Sequence, residues 1–148
     1  MRRLLLFDID GTLVAGGPAK DAFEIALMEA FGTTGPIESH PFAGKTDPQI
    51  ARELLGRAGV PDPEIDRGLP ALYERYLLEL EQRLPGRPVS VLPGVHDLVS
   101  VLAVLEDVAL GLVTGNIAGG ARLKLQGPGL DHHFAVGAYG SDAEERNE

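Results

Sequence analysis

The sequence LLLFDIDGTL at residues 4–13 decides the fold of this chain. Its first half is a short, continuous apolar run, which is typical of a strand buried on both faces of a parallel sheet. Asp8 and Asp10 come at the carboxyl end of this strand, where open α/β sheets place their ligands. Gly11 lets the backbone turn away without putting a side chain in the site. The stretch therefore predicts a buried strand that presents two carboxylates to one functional site.

Two later apolar runs predict two more strands, at residues 108–113 and 134–138. Helical spacing predicts a helix over residues 95–102, before the first of these strands, and a helix that carries Lys124 before the second. Strands that alternate with helices favour parallel pairing, because each helix carries the chain back across the sheet. We expect an α/β fold with a Rossmann-like parallel sheet.

Helical spacing also dominates the long segment between the first and second strands. Gly-Gly-Pro at residues 16–18 and Pro-Gly-Arg-Pro at residues 85–88 bracket this segment, and both are typical linker sequences. We predict an α/β core formed by residues 1–14 and 92–148. An α-helical insertion, residues 15–91, interrupts it.

Glycine and proline mark the helix boundaries within the insertion. A first helix is expected to stop at Gly32. Asp-Pro at residues 47–48, and again at residues 62–63, predicts an N-cap followed by proline at the first helical position. Pro70 is expected to break or kink the last helix, because proline lacks the N–H that the helical hydrogen bond needs.

Composition narrows the class of protein. The 148 residues carry 13 Lys and Arg against 22 Asp and Glu, a net charge of −9, and contain no basic block that would bind a nucleic-acid backbone. No run approaches the roughly 20 apolar residues of a membrane span. The absence of cysteine fits a reducing compartment. We expect a cytoplasmic protein that binds neither nucleic acid nor membranes.

Two carboxylates at one strand end suit phosphoryl transfer. One carboxylate can attack phosphorus as a nucleophile, while the other protonates the leaving oxygen and later activates water. The second apolar run ends at Thr114-Gly115-Asn116. A threonine hydroxyl, with the backbone N–H groups that follow it, stabilises the charge that develops on a transferring phosphoryl group. The two strand ends together predict a phosphoryl-binding site.

The Asp-x-Asp-Gly-Thr motif on the first strand, with threonine at the end of the next core strand, resembles the first two motifs of the haloacid dehalogenase superfamily of phosphohydrolases. The resemblance implies that Asp8 is the nucleophile, which forms an aspartyl-phosphate, and that Asp10 is the general acid and base. It assigns phosphoryl binding to Thr114, Gly115 and Asn116.

The third and fourth motifs of this superfamily match less directly. The third is a cation that pairs with the nucleophile, and both Arg146, by its position, and Lys124, on the helix after the second motif, are candidates. The fourth is an acidic cluster that completes a Mg²⁺ shell begun by the Asp8 carboxylate and the Asp10 backbone carbonyl. This cluster does not occur in the sequence, so we expect a truncated core and the N-terminal part of a longer protein.

The helical insertion occupies the place of the cap in the subclass that includes phosphoglycolate phosphatase and β-phosphoglucomutase. Caps close over a site and select its substrate. The loop at residues 43–47 resembles the cap loop that reaches the substrate in this subclass. Lys45 and Arg52 are candidates for binding a carboxylate or a second phosphate of the substrate.

The resemblance predicts a Mg²⁺-dependent phosphatase, similar to phosphoglycolate phosphatase, that acts on a small phosphorylated metabolite. Two alternatives stay open. One is a phosphotransferase similar to β-phosphoglucomutase, which shares both carboxylates. The other is a non-catalytic fragment that binds phosphate or a partner and forms a homodimer through an uncovered strand edge.

Overall fold

The computed structural model of the chain describes residues 2–146. Five strands and five helices follow one another along the chain, together with short 3-10 turns at Ile37–Ser39 and Asp131–His133. In chain order the elements are β1 (Arg3–Phe7), β2 (Val14–Ala15), α1 (Ala19–Phe31), α2 (Asp47–Arg57), α3 (Asp62–Arg83), β3 (Ser90–Val91), α4 (Val95–Ala103), β4 (Val108–Val113), α5 (Ala118–Gln126) and β5 (Val136–Ala138).

The central sheet has the strand order β1-β4-β5, and both pairs of neighbours are parallel. Phe7 of β1 pairs with Leu112 of β4 in the register. This arrangement confirms the predicted α/β fold with a parallel sheet. β5 begins at Val136, two residues later than expected, because Phe134 ends a 3-10 turn and packs edge-on against Phe7, with ring centroids 5.9 Å apart.

The two faces of this sheet have different surroundings. Leu5 and Leu110 belong to a buried cluster to which α4 and α5 contribute. Leu4 and Leu6, on the opposite face, are each 54% exposed, so the expected burial of β1 on both faces is wrong. The connections from β1 to β4 and from β4 to β5 cross the sheet in the same direction. Right-handed connections of this kind place their helices on one face of the sheet. Within residues 2–146 no helix covers the other face.

The three helices of the insertion, α1, α2 and α3, pack around an apolar cluster of their own. α1 and α3 approach closely, because Gly68 of α3 stands where a side chain would overlap the ring of Phe31. The residues buried most completely in this cluster are Ala22, Ala26, Leu27, Ala51, Leu54, Leu55, Ile65, Leu72 and Leu80.

Helix α3 runs without interruption through Pro70, so the expected break is absent. Pro70 lies on the exposed side of α3, where water can bind the carbonyl group that proline leaves without a helical donor. Ile65 and Leu72, on the opposite side, are fully buried. Their burial stabilises the helix against the cost of the proline, which is about 3 kcal/mol.

The Asp-Pro sequence predicts Asp47 as the N-cap of α2, but the structure has Thr46 in this position. The Thr46 hydroxyl accepts the Gln49 N–H at 3.1 Å. α3 likewise begins one residue earlier than expected, after Pro61. The prediction for Gly32 is confirmed, since this residue ends α1 with a left-handed backbone, φ 72°. Because Thr46 caps α2, the carboxylate of Asp47 can contact another part of the molecule.

The chain enters and leaves the helical segment side by side. β2 and β3 form an antiparallel pair, in which Val14 lies opposite Val91 and Ala15 opposite Ser90. We refer to residues 16–89, between these pairs, as the cap, and to the remaining described residues as the core. None of the helices described between residues 2 and 146 is long and apolar enough to cross a membrane.

Candidate active site

The strand ends of the core and the helices of the cap enclose a cavity of about 360 Å³. β1 contributes carboxylates from the segment that follows it, and β4 contributes the polar loop 114–116. The polar residues that line the cavity are Asp8, Asp10, Lys20, Lys45, Asp47, Thr114, Asn116, Lys124 and Arg146. The apolar wall comes mainly from the cap, with Phe23, Phe42, Ile50 and Tyr76.

Asp8 lies at the end of β1 and faces a cation. One oxygen, Oδ1, accepts the Ile9 N–H at 2.8 Å, and this bond fixes the orientation of the carboxylate. The other oxygen, Oδ2, lies 2.7 Å from Nη2 of Arg146. Arg146 therefore contacts the predicted nucleophile directly, as the resemblance implies for a third-motif cation.

Asp10 faces the other candidate cation. Nζ of Lys124 lies 2.9 Å from Oδ1 and 3.1 Å from Oδ2 of Asp10. Nδ2 of Asn116 donates a further bond to Oδ2, at 2.7 Å. Lys124 is buried, and a buried ammonium group needs a counter-ion. Both candidate cations thus lie at the cavity, each paired with a different carboxylate.

The loop after β4 is held by hydrogen bonds at several points. The Thr114 hydroxyl accepts the Asn116 N–H at 3.1 Å and the Asn116 Nδ2 at 2.8 Å. The Gly140 N–H donates to the carbonyl oxygen of Asn116 at 2.8 Å. Thr114 and Asn116 are both buried. Gly115 lies so close to the cap that a side chain there would collide with the carbonyl oxygen of Lys45.

Of the two residues predicted to bind a second anionic group, one lies at the cavity. Lys45 lines it and is paired with Glu53. Arg52 is not among the lining residues, because its guanidinium is bound by Asp62, Asp66 and Glu144. These carboxylates raise the pKa of Arg52 above its usual value. The structure therefore does not bring Arg52 to the site.

Asp47 is the main polar residue of the cavity that the sequence did not indicate as functional. Burial raises the pKa of its carboxyl from 3.8 to about 6, although Lys124 and the Ile117 N–H act in the opposite direction. Its sequence pattern, Asp before Pro, is that of a helix start and does not reveal a contact with the core. The one sequence feature that could have indicated a role for Asp47 is its position in the loop at residues 43–47, which resembles a cap loop that reaches the substrate.

From the sequence alone, the residues of the apolar wall could not be distinguished from residues that pack inside the cap. Phe23 and Tyr76 are buried and pack edge-on, with ring centroids 5.4 Å apart. Both also line the cavity. Their spacing along α1 and α3 is the same as that of the residues around them that fill the cap interior. Lys20, in the first turn of α1, also lines the cavity and is paired with Glu38 at 3.0 Å.

The predicted Mg²⁺ site at Asp8 and Asp10 is not complete within the described part of the chain. Among residues 2–146, no group of three or more His, Cys, Asp and Glu side chains is arranged to hold a metal ion. Asp8 and Asp10 each already face a cation. Since Mg²⁺ demands a near-octahedral set of oxygens, these residues do not by themselves fit the ion.

Solved structures resemble this chain, whereas a scan against protein-family models and a search of curated proteins gave no match. A predicted phosphoglycolate phosphatase from Haemophilus somnus aligns with a TM-score of 0.58 and 18% identity, over 96% of this chain and 64% of that one. CbbY from Rhodobacter sphaeroides, solved in complex with phosphate, aligns with a TM-score of 0.56 and 22% identity, over 97% of this chain and 65% of that one.

The likeness to these structures concerns the fold. The chain has the haloacid dehalogenase-like fold of phosphoglycolate phosphatases and related phosphatases, which confirms the fold implied by the sequence motifs. It spans less than two thirds of the length of the two structures. The described sheet of three strands agrees with the expected truncated core.

Proposed function

We propose that this chain carries the site of a phosphatase that hydrolyses small phosphorylated metabolites through a phosphoryl group bound to Asp8. The observation that carries the proposal is the convergence of Asp8, Asp10, Thr114 and Lys124 on one cavity from separate parts of the chain. Two carboxylates, a hydroxyl and a cation at adjacent strand ends are the groups that phosphoryl transfer needs.

In the first step, an oxygen of Asp8 attacks phosphorus while the bond from phosphorus to the leaving oxygen breaks. Asp10, in its protonated form, gives its proton to that leaving oxygen. In the second step, Asp10 takes a proton from water. The resulting hydroxide attacks the phosphorus, and the bond to Asp8 breaks, so that inorganic phosphate leaves and both carboxylates return to their starting state.

The groups around the carboxylates stabilise the charge on the transferring phosphoryl group. Thr114 supplies a hydroxyl, and Lys124 and Arg146, which also line the cavity, supply positive charge. Groups that are already held in place need little reorganisation as the charge develops, which is why such sites lower the barrier. At the cap end, the proposal assigns the binding of a second anionic group of the substrate to Lys45, because Lys45 lines the same cavity.

A Mg²⁺ requirement is part of the proposal, because the resemblance to the haloacid dehalogenase superfamily implies it. The ion would neutralise charge on the bound phosphate. Asp8 and Asp10 would supply two of its ligands, and the described residues offer no third His, Cys, Asp or Glu side chain arranged to complete the set. The expected result is therefore weak activity of this chain that rises with added Mg²⁺ and falls with EDTA.

The test is the hydrolysis of p-nitrophenyl phosphate by the purified chain, with Mg²⁺ and with EDTA. Asp8→Asn is expected to abolish turnover, because the amide is a poor nucleophile. Asp107→Asn is the matched control, since Asp107 is exposed, lies outside the cavity and undergoes the same loss of charge. Equal rates for the wild type and Asp8→Asn would overturn the proposal.

One observation favours a second function, the binding of phosphate without turnover. Both carboxylates of the site already face a cation, and the chain spans less than two thirds of the structures it resembles. In this case inorganic phosphate binds at the 114–116 loop, but p-nitrophenyl phosphate is not hydrolysed. Phosphate titration by NMR alongside the assay separates the two functions.

A further inference from the structure

Asp47 joins the cap to the loop that follows β4. Its backbone N–H donates to the carbonyl oxygen of Gly115 at 2.8 Å. Its side-chain Oδ2 accepts the Ile117 N–H at 2.9 Å. The two bonds run in opposite directions and contact the same loop two residues apart, so a single residue of the cap fixes both the position and the orientation of this loop.

The side-chain bond supplies an acceptor that helix α5 lacks. A helix leaves its first N–H groups without partners inside the helix, and an N-cap side chain usually accepts one of them. The N-cap of α5 is Ile117, which has no side-chain acceptor. Asp47 accepts the Ile117 N–H, and Oγ of Ser141 accepts the Ala118 N–H at 3.1 Å. A carboxylate at this end of a helix also interacts favourably with the helix dipole.

The fit between the cap loop and the core loop is close. The Cα atom of Thr46 would lie 3.1 Å from a Cβ atom on Gly115, and the carbonyl oxygen of Lys45 would overlap it. Helix α5, whose N-terminus Asp47 caps, carries Lys124 in its last turn. A shift of this helix therefore moves Lys124 relative to Asp10, to which Lys124 is bonded.

The charge of Asp47 is costly for the folded protein. Burial is the largest influence on the pKa of its carboxyl and raises it to about 6. Asp10 acts in the same direction, whereas Lys124 and the Ile117 N–H favour the ionised form. At neutral pH Asp47 is ionised at some cost in stability, which is typical of a residue kept for function.

Two tyrosines also face Asp47 from α3. Burial, followed by the charges of Asp47 and Glu144, raises the pKa of the Tyr73 hydroxyl to about 12, against the effect of Arg52. Burial, followed by the charges of Asp47 and Asp10, likewise raises the pKa of Tyr76. Neither tyrosine ionises near neutral pH. Asp47 is therefore the group around this contact that titrates near pH 6.

We infer that Asp47 is a positioning residue that couples the cap to the phosphoryl-binding loop and, through α5, to Lys124. This inference rests on the proposed function for its kinetic consequence. The two bonds of Asp47 hold the loop 114–117 against the cap, and the loop in turn holds the Thr114 hydroxyl at the cavity where the phosphoryl group is proposed to bind.

The kinetic test compares Asp47→Ala and Asp47→Asn with Asp62→Asn. Asp62 is a matched control, because it also precedes a proline at the start of a cap helix, but its side chain is exposed and is paired with Arg52, away from the cavity. Asp47→Ala is expected to lower kcat for p-nitrophenyl phosphate by about tenfold or more, since the charged hydrogen bond is lost. Asp62→Asn leaves kcat unchanged. An unchanged kcat in Asp47→Ala overturns the inference.

A second measurement does not depend on turnover. The amide resonance of Ile117 is expected to shift with pH in the wild type, with a midpoint near 6, because its acceptor titrates there. This titration persists in Asp62→Asn and disappears in Asp47→Asn. An Ile117 amide whose resonance is the same in the wild type and in Asp47→Asn overturns the inference, whatever the activity.

The two proposals fail separately. If the wild type does not hydrolyse p-nitrophenyl phosphate but the Ile117 amide titrates, the proposed phosphatase activity is wrong and the contact of Asp47 stands. The affinity for inorganic phosphate then replaces kcat as the readout. Asp47→Ala must weaken phosphate binding about tenfold, and Asp62→Asn must not. Equal phosphate affinity in all three proteins contradicts the positioning role.

Discussion

The cap and the core sheet bury their apolar residues to different extents. In the cap, Leu54 and Leu72 have no exposed surface, and the helices enclose them on all sides. In the core, α4 and α5 cover one face of the sheet, and Leu4 and Leu6 on the other face are about half exposed. The cap is thus stabilised mainly by packing, while the candidate site lies at the end of the less covered sheet.

The candidate site of the core depends on polar contacts, in contrast to the apolar interior of the cap. At the strand ends, ion pairs and hydrogen bonds hold Asp8, Asp10 and Asn116, and these bonds lie at the cavity of the candidate site. Active sites are commonly built from groups that are not optimal for stability. We therefore expect substitutions in the core site to change activity more than stability, and substitutions in the cap interior to change stability more than activity.

The largest effect is expected from Asp10→Asn. Loss of a general acid and base typically costs about 100- to 10,000-fold in rate. The amide has the same shape as the carboxylate, but the buried ammonium of Lys124 loses its counter-ion, so the unfolding temperature should also fall, though less markedly than the rate. Initial rates with an alkyl phosphate, together with thermal unfolding, measure both quantities. A large drop in the unfolding temperature with little loss of rate would reverse the comparison.

The next largest effect is expected in the cap interior. Leu72→Ala leaves a cavity in a fully buried cluster and should lower the free energy of unfolding by about 2–5 kcal/mol. Chemical denaturation measures this loss, and the activity of the remaining folded protein should be nearly unchanged. A loss below about 1 kcal/mol would mean that the cap interior is not the better packed region.

The stability of Asp47→Asn relative to the wild type should depend on pH. The folded-state pKa, about 6, lies above the usual 3.8, so the folded wild type binds more protons than the unfolded chain between these values. Wild-type stability therefore falls as pH rises through this window, by up to about 3 kcal/mol. The asparagine variant lacks this loss.

Thermal unfolding of both proteins between about pH 4 and pH 7 tests whether wild-type stability falls relative to that of Asp47→Asn as pH rises. The unfolding temperature of Asp47→Asn minus that of the wild type should rise with pH. If it falls instead, the ionised carboxylate stabilises the fold, and the pKa of Asp47 is lowered rather than raised.

The smallest effect is expected on the uncovered face of the sheet. Leu6→Gln should change the free energy of unfolding by less than about 1 kcal/mol, because the side chain is already half exposed. Chemical denaturation of Leu6→Gln and Leu72→Ala under the same conditions compares the losses in free energy of unfolding directly. A cost similar to that of Leu72→Ala would show that something covers this face in solution, and a concentration dependence would identify a second copy of the chain.

Sequence reasoning succeeded where the determining signals are local. Asp8 and Asp10 directly follow one apolar strand, and the polar turn at residues 114–116 directly follows the next. Parallel pairing of the strands follows from their alternation with helices. The convergence of Lys124 and Arg146 on the cavity was expected only as a pair of alternatives. The structure places both there, since α5 brings Lys124 to Asp10 and the segment after β5 brings Arg146 to Asp8.

Apart from the helix boundary at Thr46 and the unbroken helix at Pro70, the failures concern contacts between distant parts of the chain. The exposure of Leu6 depends on which helices cover the sheet, and the pattern of an apolar strand does not contain this information. Arg52 is held away from the cavity by Glu144, which lies 92 residues further along the chain. Asp47 contacts a loop 70 residues away, at Ile117. Propensity and spacing describe neighbours in sequence and cannot identify such partners.

The central claim is that Asp8 carries the phosphoryl group, and an acid-quenched mass spectrum tests it most directly. Asp10→Asn is mixed with p-nitrophenyl phosphate, whose leaving group needs no proton, so the first step proceeds and the second lacks its base. We predict a mass increase of one phosphoryl group, located on the peptide with Asp8 and absent when Asp8→Asn is added. An adduct that persists in the double variant, or release of p-nitrophenol without any adduct, would contradict the account.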